Sequence, residues 1–253
     1  MLFVLSLDWH RFSISEQMIE ANKFMSGMTE KLGVSPRIIF NFASLGAGEK
    51  LLPFASQNNA MPEDDTLDYL RWHHHQIVEI LRQDEPFKAN RDLSEMLKIL
   101  KGEGHQLAAV LPSRTCQLEE LLERARTRDY FEDKVYGYDR RSDDLLANFT
   151  LASLYTTAIN GADTDFSDSL VVADTPEAIC DAVPIHPLAV VGYIDPYVAW
   201  DKQGVRLKEM EQAGAHYTAV GGHNVTALPW YLSGRAKREA ENDLARIMGR
   251  PFH

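Results

Sequence analysis

The sequence is short of cysteine, of basic residues and of long apolar runs. It has two cysteines, Cys116 and Cys180, whose spacing matches neither a metal site nor a disulfide framework. This scarcity favours a reducing cytosol, so we expect a cytoplasmic protein. No apolar run is long enough to span a bilayer, and the apolar start of the chain lacks the basic segment of a signal peptide.

The charge balance excludes two classes of partner. The chain has 26 lysines and arginines against 37 aspartates and glutamates, which gives a formal net charge of -11. Because an acidic chain repels nucleic-acid phosphates and anionic lipids, we expect neither nucleic acid nor membrane as a partner. A length of 253 residues allows one large domain, or a core domain with a smaller second one.

Short apolar runs alternate with helical patterns over much of the chain. These runs are LFVLSL, HQLAAVL, SLVVAD and LAVVGYI. Such alternation predicts an α/β fold in which a Rossmann-like parallel sheet carries helices on both faces. A long helical stretch follows the first run, and we expect it to be an inserted helical cap over the C-terminal edge of the sheet, where ligands bind. The predicted core comprises residues 1–12 and 89–253, and the predicted cap comprises residues 13–88.

Two of the apolar runs end on an aspartate, at Asp8 and Asp174. In a parallel sheet both carboxylates would reach the same edge, where they would repel each other unless a cation lay between them. An oxygen-lined site of this kind suits Mg²⁺. The alternative is that each aspartate caps the helix or turn that follows it. Pro176 supports that alternative for Asp174, because proline is common in the first turn of a helix.

The same segments resemble motifs of the haloacid dehalogenase-like (HAD) hydrolases. LSLDWHRF resembles the first motif of that superfamily, LSEMLKILKGEGHQLAAV resembles the helix and strand that lead to the second, and SLVVADTPEAI resembles the fourth. The resemblance implies that Asp8 is a nucleophile and that Asp8, Asp174 and the backbone carbonyl of His10 hold Mg²⁺. It also implies a small phosphorylated or phosphonate substrate, and it leaves a homodimer open.

Finer features resemble one branch, the phosphonoacetaldehyde hydrolases. Trp9 directly follows Asp8, and RLKEMEQAGAHYTAV is similar to a C-terminal segment of that branch. The branch has a cap lysine that forms a Schiff base with the substrate aldehyde, and Lys50 falls near its place. His10 stands where HAD phosphatases have a second aspartate. The resemblance implies that an iminium on Lys50 makes a leaving-group acid at that position unnecessary.

Other positions depart from the superfamily pattern. Leu111 stands where the second motif has threonine or serine, and Ala178 stands where the fourth motif usually has a second acid. The lysine or arginine of the third motif has no clear counterpart, so we expect Ser113, Arg114 and Arg140 to contact the substrate instead. Two alternatives therefore stay open. One is a catalytically degenerate HAD-fold protein with a binding or regulatory role, and the other is a haloacid dehalogenase-type hydrolase that acts at carbon without a metal.

A pair of glycines in GGHNVT follows the last predicted strand. Glycines before a helix can form a phosphate-binding loop, because the backbone N–H groups then point at the ligand. We interpret this segment as a turn rather than a phosphate cradle, since we predict no helix start of the required spacing after it.

Overall fold

The structure is a computed structural model that describes residues 1–7, 90–111, 115–137 and 151–247. The predicted cap, residues 13–88, lies outside these ranges. The proposed domain boundaries near residues 12 and 89 lie outside them as well, so the division into core and cap stays a prediction.

The described residues form a parallel sheet of six strands in the order β3-β2-β1-β4-β5-β6. This arrangement confirms the predicted α/β fold. In chain order the strands are β1 (Leu2–Ser6), β2 (Gln106–Val110), β3 (Val135–Tyr136), β4 (Ser169–Ala173), β5 (Ala189–Ile194) and β6 (Tyr217–Val220).

Helices cover both faces of the sheet. They are α1 (Arg91–Gly102), α2 (Thr115–Arg124), α3 (Ala152–Gly161), α4 (Pro176–Ala182), α5 (Trp200–Gln212) and α6 (Gly222–Ile247), with short 3₁₀ turns at Arg128–Tyr130, Phe166–Asp168 and Val183–Ile185. Residues of α1, α2 and α6 build the apolar core on one face, and residues of α3, α4 and α5 build the core on the other. Within the described ranges, no helix combines the length and apolar character needed to cross a membrane.

The apolar run of β1 fills both cores. Its side chains alternate between the two faces of the sheet, as the pleat of a strand requires. Phe3 and Leu5 enter the core that includes α1, whereas Leu2 and Val4 enter the core that includes α3. A strand covered on both faces needs apolar side chains at successive positions, which explains the unbroken hydrophobic run.

The strand order places a topological switch point beside β1. The chain proceeds from β1 to β2 and β3 on one side, and then returns to add β4 on the other side. Ser6 of β1 is paired with Ala173 of β4, so Leu7 and Asp174 follow at the same level of the sheet. Open α/β sheets bind ligands outside the carboxyl ends of the strands at such a point.

The GGHNVT segment is the start of a helix. We had excluded a phosphate-binding loop there because we predicted no helix start, and that reason was wrong. Gly221 has a φ of +80°, which turns the chain, and α6 begins at Gly222. The helical pattern is obscured in the sequence because Pro229 lies inside the helix. The N–H of Gly222 donates to the Asp92 carboxylate at 2.7 Å, so the protein itself occupies this donor. The segment is therefore a helix start already engaged by an acidic side chain.

The close contact between α1 and α6 predicts a strict requirement for glycine at position 222. A Cβ there would lie 2.6 Å from Met96 Cβ and 3.0 Å from the Asp92 carbonyl oxygen. We expect Gly222→Ala to lower the free energy of unfolding by about 1–3 kcal/mol, because the helices would have to separate. Urea unfolding measures this change.

Gly204→Ala in α5 is the matched control. A Cβ at Gly204 meets nothing within 4 Å among the residues that the structure describes. This substitution should raise stability by about 0.4–1 kcal/mol, since alanine restricts the unfolded chain. Equal effects of the two substitutions would contradict the close packing of α1 against α6.

Candidate functional site

Asp174 lies at the switch point, directly after β4. Its side chain is 2% exposed, although a buried carboxylate is costly unless it has partners. The register of β4 with β1 brings Asp174 level with Leu7, and Asp8 is the next residue of the chain after Leu7. The structure therefore places the predicted metal-binding aspartate at the carboxyl edge beside the end of β1.

The N-cap of α4 is Thr175, not Asp174. The Thr175 hydroxyl oxygen accepts a hydrogen bond from the N–H of Ala178 at 3.2 Å, and Pro176 occupies the first turn as predicted. This geometry is the usual N-cap arrangement, in which a side-chain oxygen satisfies an amide of the first turn. The alternative that Asp174 is the N-cap of α4 is therefore wrong.

Asp195 is a second buried carboxylate at this edge, and it is not among the site residues predicted from the sequence. It directly follows β5, is 8% exposed, and accepts a hydrogen bond from the N–H of Tyr197 at 2.8 Å. The bond holds the start of the loop between β5 and α5. The signal was present, because LAVVGYI is an apolar run that also ends on an aspartate.

The first turn of α1 is fixed at the same edge. Asn90 is its N-cap, and its Oδ1 accepts from the N–H of Leu93 at 3.3 Å. Asp92 accepts two hydrogen bonds, one at 2.6 Å from the Tyr193 hydroxyl of β5 and one from the N–H of Gly222. One carboxylate thus joins α1, β5 and α6 above the carboxyl ends of the strands.

The two departures from the HAD pattern that the structure describes lie in the core. Leu111 is 2% exposed and belongs to the same apolar cluster as Leu118. Ala178 is buried inside α4, and its carbonyl accepts from the Tyr155 hydroxyl at 3.2 Å. Neither side chain has a polar atom, so neither can hold a phosphoryl oxygen or a metal ion.

The AGAHY segment has a structural role. Gly214 has a φ of +99° and ends α5, a backbone conformation that favours glycine. His216 Nδ1 accepts from the N–H of Val190 at 2.9 Å, and the His216 N–H donates to the Val190 carbonyl at 2.8 Å. These contacts fasten the start of β6 to the start of β5, at the amino edge opposite Asp174. The segment therefore forms the turn between α5 and β6 at the amino edge of the sheet.

The donor chemistry of Asp174 fits one oxygen ligand of a magnesium ion, which prefers carboxylates and carbonyls. Within the ranges that the structure describes, no cluster of three or more histidine, cysteine or acidic side chains could hold a metal ion. Any further protein ligands are those predicted at Asp8 and His10. These two residues lie outside the described ranges, as do the predicted site residues Lys50, Ser113, Arg114 and Arg140.

Solved structures share this fold. A haloacid dehalogenase-like family protein from Streptococcus pneumoniae matches with a TM-score of 0.60 and 13% identity, over 90% of this chain and 97% of its own. A haloacid dehalogenase-like protein of unknown function from Agrobacterium tumefaciens matches with a TM-score of 0.58 and 14% identity, over 93% of this chain and 98% of its own. A predicted phosphatase from Clostridium acetobutylicum matches with a TM-score of 0.58 and 14% identity, over 91% of this chain and 98% of its own.

No protein-family model and no curated protein sequence matches the chain. The structural likeness extends over nearly the whole chain, whereas the sequence identity is low. The protein therefore has the fold of the haloacid dehalogenase-like hydrolases, and the fold is what this likeness shows.

Capping of α4 by Thr175 gives a direct test of the local geometry. We expect Thr175→Ala to lower the free energy of unfolding by about 1 kcal/mol, because the Ala178 N–H loses its acceptor. Thr175→Ser keeps a hydroxyl oxygen at the cap and should retain most of the stability. Thermal and urea unfolding of the three proteins measure this. An alanine variant as stable as the serine variant would show that another group caps α4.

Proposed function

We propose that the chain is a hydrolase of the HAD-like class that uses Asp8 as a nucleophile on a small phosphorylated or phosphonate substrate. The observation that carries the proposal is the position of Asp174, a buried carboxylate at the switch point that does not cap the helix after it. The second observation is that β1, which leads into Asp8, lies directly beside β4 and is hydrogen-bonded to it.

In the proposed reaction a carboxylate oxygen of Asp8 attacks phosphorus, and the bond from phosphorus to the leaving group breaks. The aspartyl phosphate is then hydrolysed by water, which releases phosphate and restores the carboxylate. Asp8, Asp174 and the His10 carbonyl would hold Mg²⁺, which when bound supplies positive charge to the phosphoryl oxygens. Ser113, Arg114 and Arg140 are the proposed substrate contacts.

A phosphonate substrate with a carbonyl group is the finer form of this proposal. The amine of Lys50 would condense with the carbonyl, release water and form an iminium. When the carbon–phosphorus bond breaks, its electron pair would pass to the iminium and give an enamine, while phosphorus goes to Asp8. Protonation and hydrolysis would then release the carbonyl product and Lys50. Two residues of the sequence support this form: Trp9, which directly follows Asp8, and Lys50, which falls near the place of the branch's Schiff-base lysine.

A second candidate is a catalytically degenerate HAD-fold protein with a binding or regulatory role. It is favoured by two apolar side chains: Leu111 offers no donor to a phosphoryl group that carries charge on three oxygens, and Ala178 offers no oxygen ligand to a metal ion. Loss of one such donor commonly costs about a hundredfold or more in rate. A dehalogenase-type attack at carbon is a third candidate, in which the metal is not needed.

An activity panel distinguishes these candidates. We expect turnover of at least one phosphate ester or phosphonate with Mg²⁺, and its loss on addition of EDTA. Asp8→Asn should reduce the rate by about a thousandfold or more, as removal of a nucleophile does. Asp174→Asn should reduce it by about a hundredfold and raise the Mg²⁺ concentration needed for half the maximal rate.

The matched control is Asp165→Asn, which removes an exposed carboxylate near the amino end of β4 and should leave the rate unchanged. Haloacids belong in the same panel, since turnover of a haloacid in EDTA would support attack at carbon. Lys50→Arg should abolish phosphonate cleavage and spare cleavage of phosphate esters. If no substrate of the panel is turned over and calorimetry detects no Mg²⁺ binding, the hydrolase proposal is rejected and the binding protein is favoured.

A further inference from the structure

Asn90 carries a buried hydrogen-bond donor that has no acceptor in the described part of the chain. The residue is 1% exposed, and its Nδ2 has no hydrogen-bond partner. Its orientation is fixed, because Oδ1 accepts from the N–H of Leu93 and a nitrogen in that place could not. A buried polar group without a partner is unusual and calls for an explanation, such as a ligand or a water molecule.

The donor lies where an anion is favoured. Asn90 precedes α1, a helix of 12 residues, and the N-terminus of a helix attracts negative charge through its dipole and its N–H groups. Because Oδ1 and Nδ2 are bonded to the same carbon, the donor lies at that N-terminal turn. The bond between Asp92 and Tyr193 fixes the turn at the carboxyl edge, which also carries Asp174.

Asp92 is the negative charge closest in sequence, and it is already satisfied. Its carboxylate accepts from the Tyr193 hydroxyl and from the N–H of Gly222, the first residue of α6. The positive end of the α6 dipole therefore faces Asp92. Because the negative charge of Asp92 is balanced by the N-terminus of α6, the N-terminus of α1 can attract the anion of a ligand.

We propose that Asn90 Nδ2 donates a hydrogen bond to a phosphate oxygen of the bound ligand. The inference rests on the proposed function, and it names a binding residue in addition to the predicted ones. A neutral amide at the edge would supply one of the donors that Leu111 does not offer.

The test uses inorganic phosphate as the probe and the full chain with Mg²⁺. Asn90→Ser keeps a side-chain oxygen for the Leu93 N–H and removes the amide nitrogen. The side-chain NH₂ signal of Asn90 is assigned in a nitrogen-15 NMR spectrum by its absence in that variant. We expect phosphate to shift this signal, and Asn90→Ser to weaken phosphate binding about tenfold or more, as loss of a hydrogen bond to a charged group does.

Asn224→Ser is the matched control. Asn224 lies in the first turn of α6, and its Nδ2 already donates to the Val220 carbonyl at 2.8 Å. Phosphate affinity should therefore be unchanged in this variant. Equal losses in the two variants would show a general effect on the fold and would overturn the inference.

Three other results would overturn the inference. The first is an Asn90 side-chain NMR signal that does not shift at saturating phosphate. The second is an unchanged phosphate affinity in Asn90→Ser. The third is a structure of the phosphate complex in which a water molecule, and not phosphate, accepts the hydrogen bond from Nδ2. Substrate turnover separates this inference from the proposed function. Turnover with an unchanged KM in Asn90→Ser would refute the role of Asn90, whereas the proposed hydrolase activity would be unaffected. Phosphate binding at Asn90 in a protein without turnover would refute the hydrolase activity, whereas the proposed role of Asn90 would be supported.

Discussion

The parallel pairing of β1 with β4 is the constraint on which the rest of the candidate site depends. Both strands are buried on both faces, so their register is set by two apolar cores at once. Leu2 pairs with Ser169 and Ser6 pairs with Ala173, and a slip of one residue would exchange the side chains of the two cores. Because this register is strongly specified, the position of Asp174 beside the end of β1 is specified with it.

A second interaction fixes what surrounds that edge. The Asp92 carboxylate joins the first turn of α1 to β5 and to the start of α6, through the Tyr193 hydroxyl and the Gly222 N–H. Three elements that are distant in sequence are thereby held together at the carboxyl end of the sheet. A binding site needs its side chains held in place by surrounding hydrogen bonds, and these two bonds supply such support on one face of the sheet. The same arrangement leaves Asn90 Nδ2 buried without an acceptor among the described residues.

The sequence predicts the sheet better than it predicts the roles of individual side chains. The runs ending at Leu7, Leu111, Asp174 and Ile194 are strands, because burial on both faces leaves an unmistakable hydrophobic signal. Aspartate and threonine are both favoured at helix N-caps, so the sequence could not show which of the adjacent Asp174 and Thr175 caps α4. The helix α6 was missed because it begins at Gly222 and contains Pro229, both unfavourable in helices. Asp195 was missed although the rule that found Asp174 applied to it as well.

A crystal structure with Mg²⁺ would show whether Asp8 and Asp174 form one site at the switch point. Oxygen atoms that share a magnesium ion lie about 2.0–2.1 Å from it, so oxygens of the two carboxylates should be within about 4 Å of each other. A separation above about 10 Å is well beyond what the ligands of one ion can span, and it would show that the two aspartates do not form one metal site.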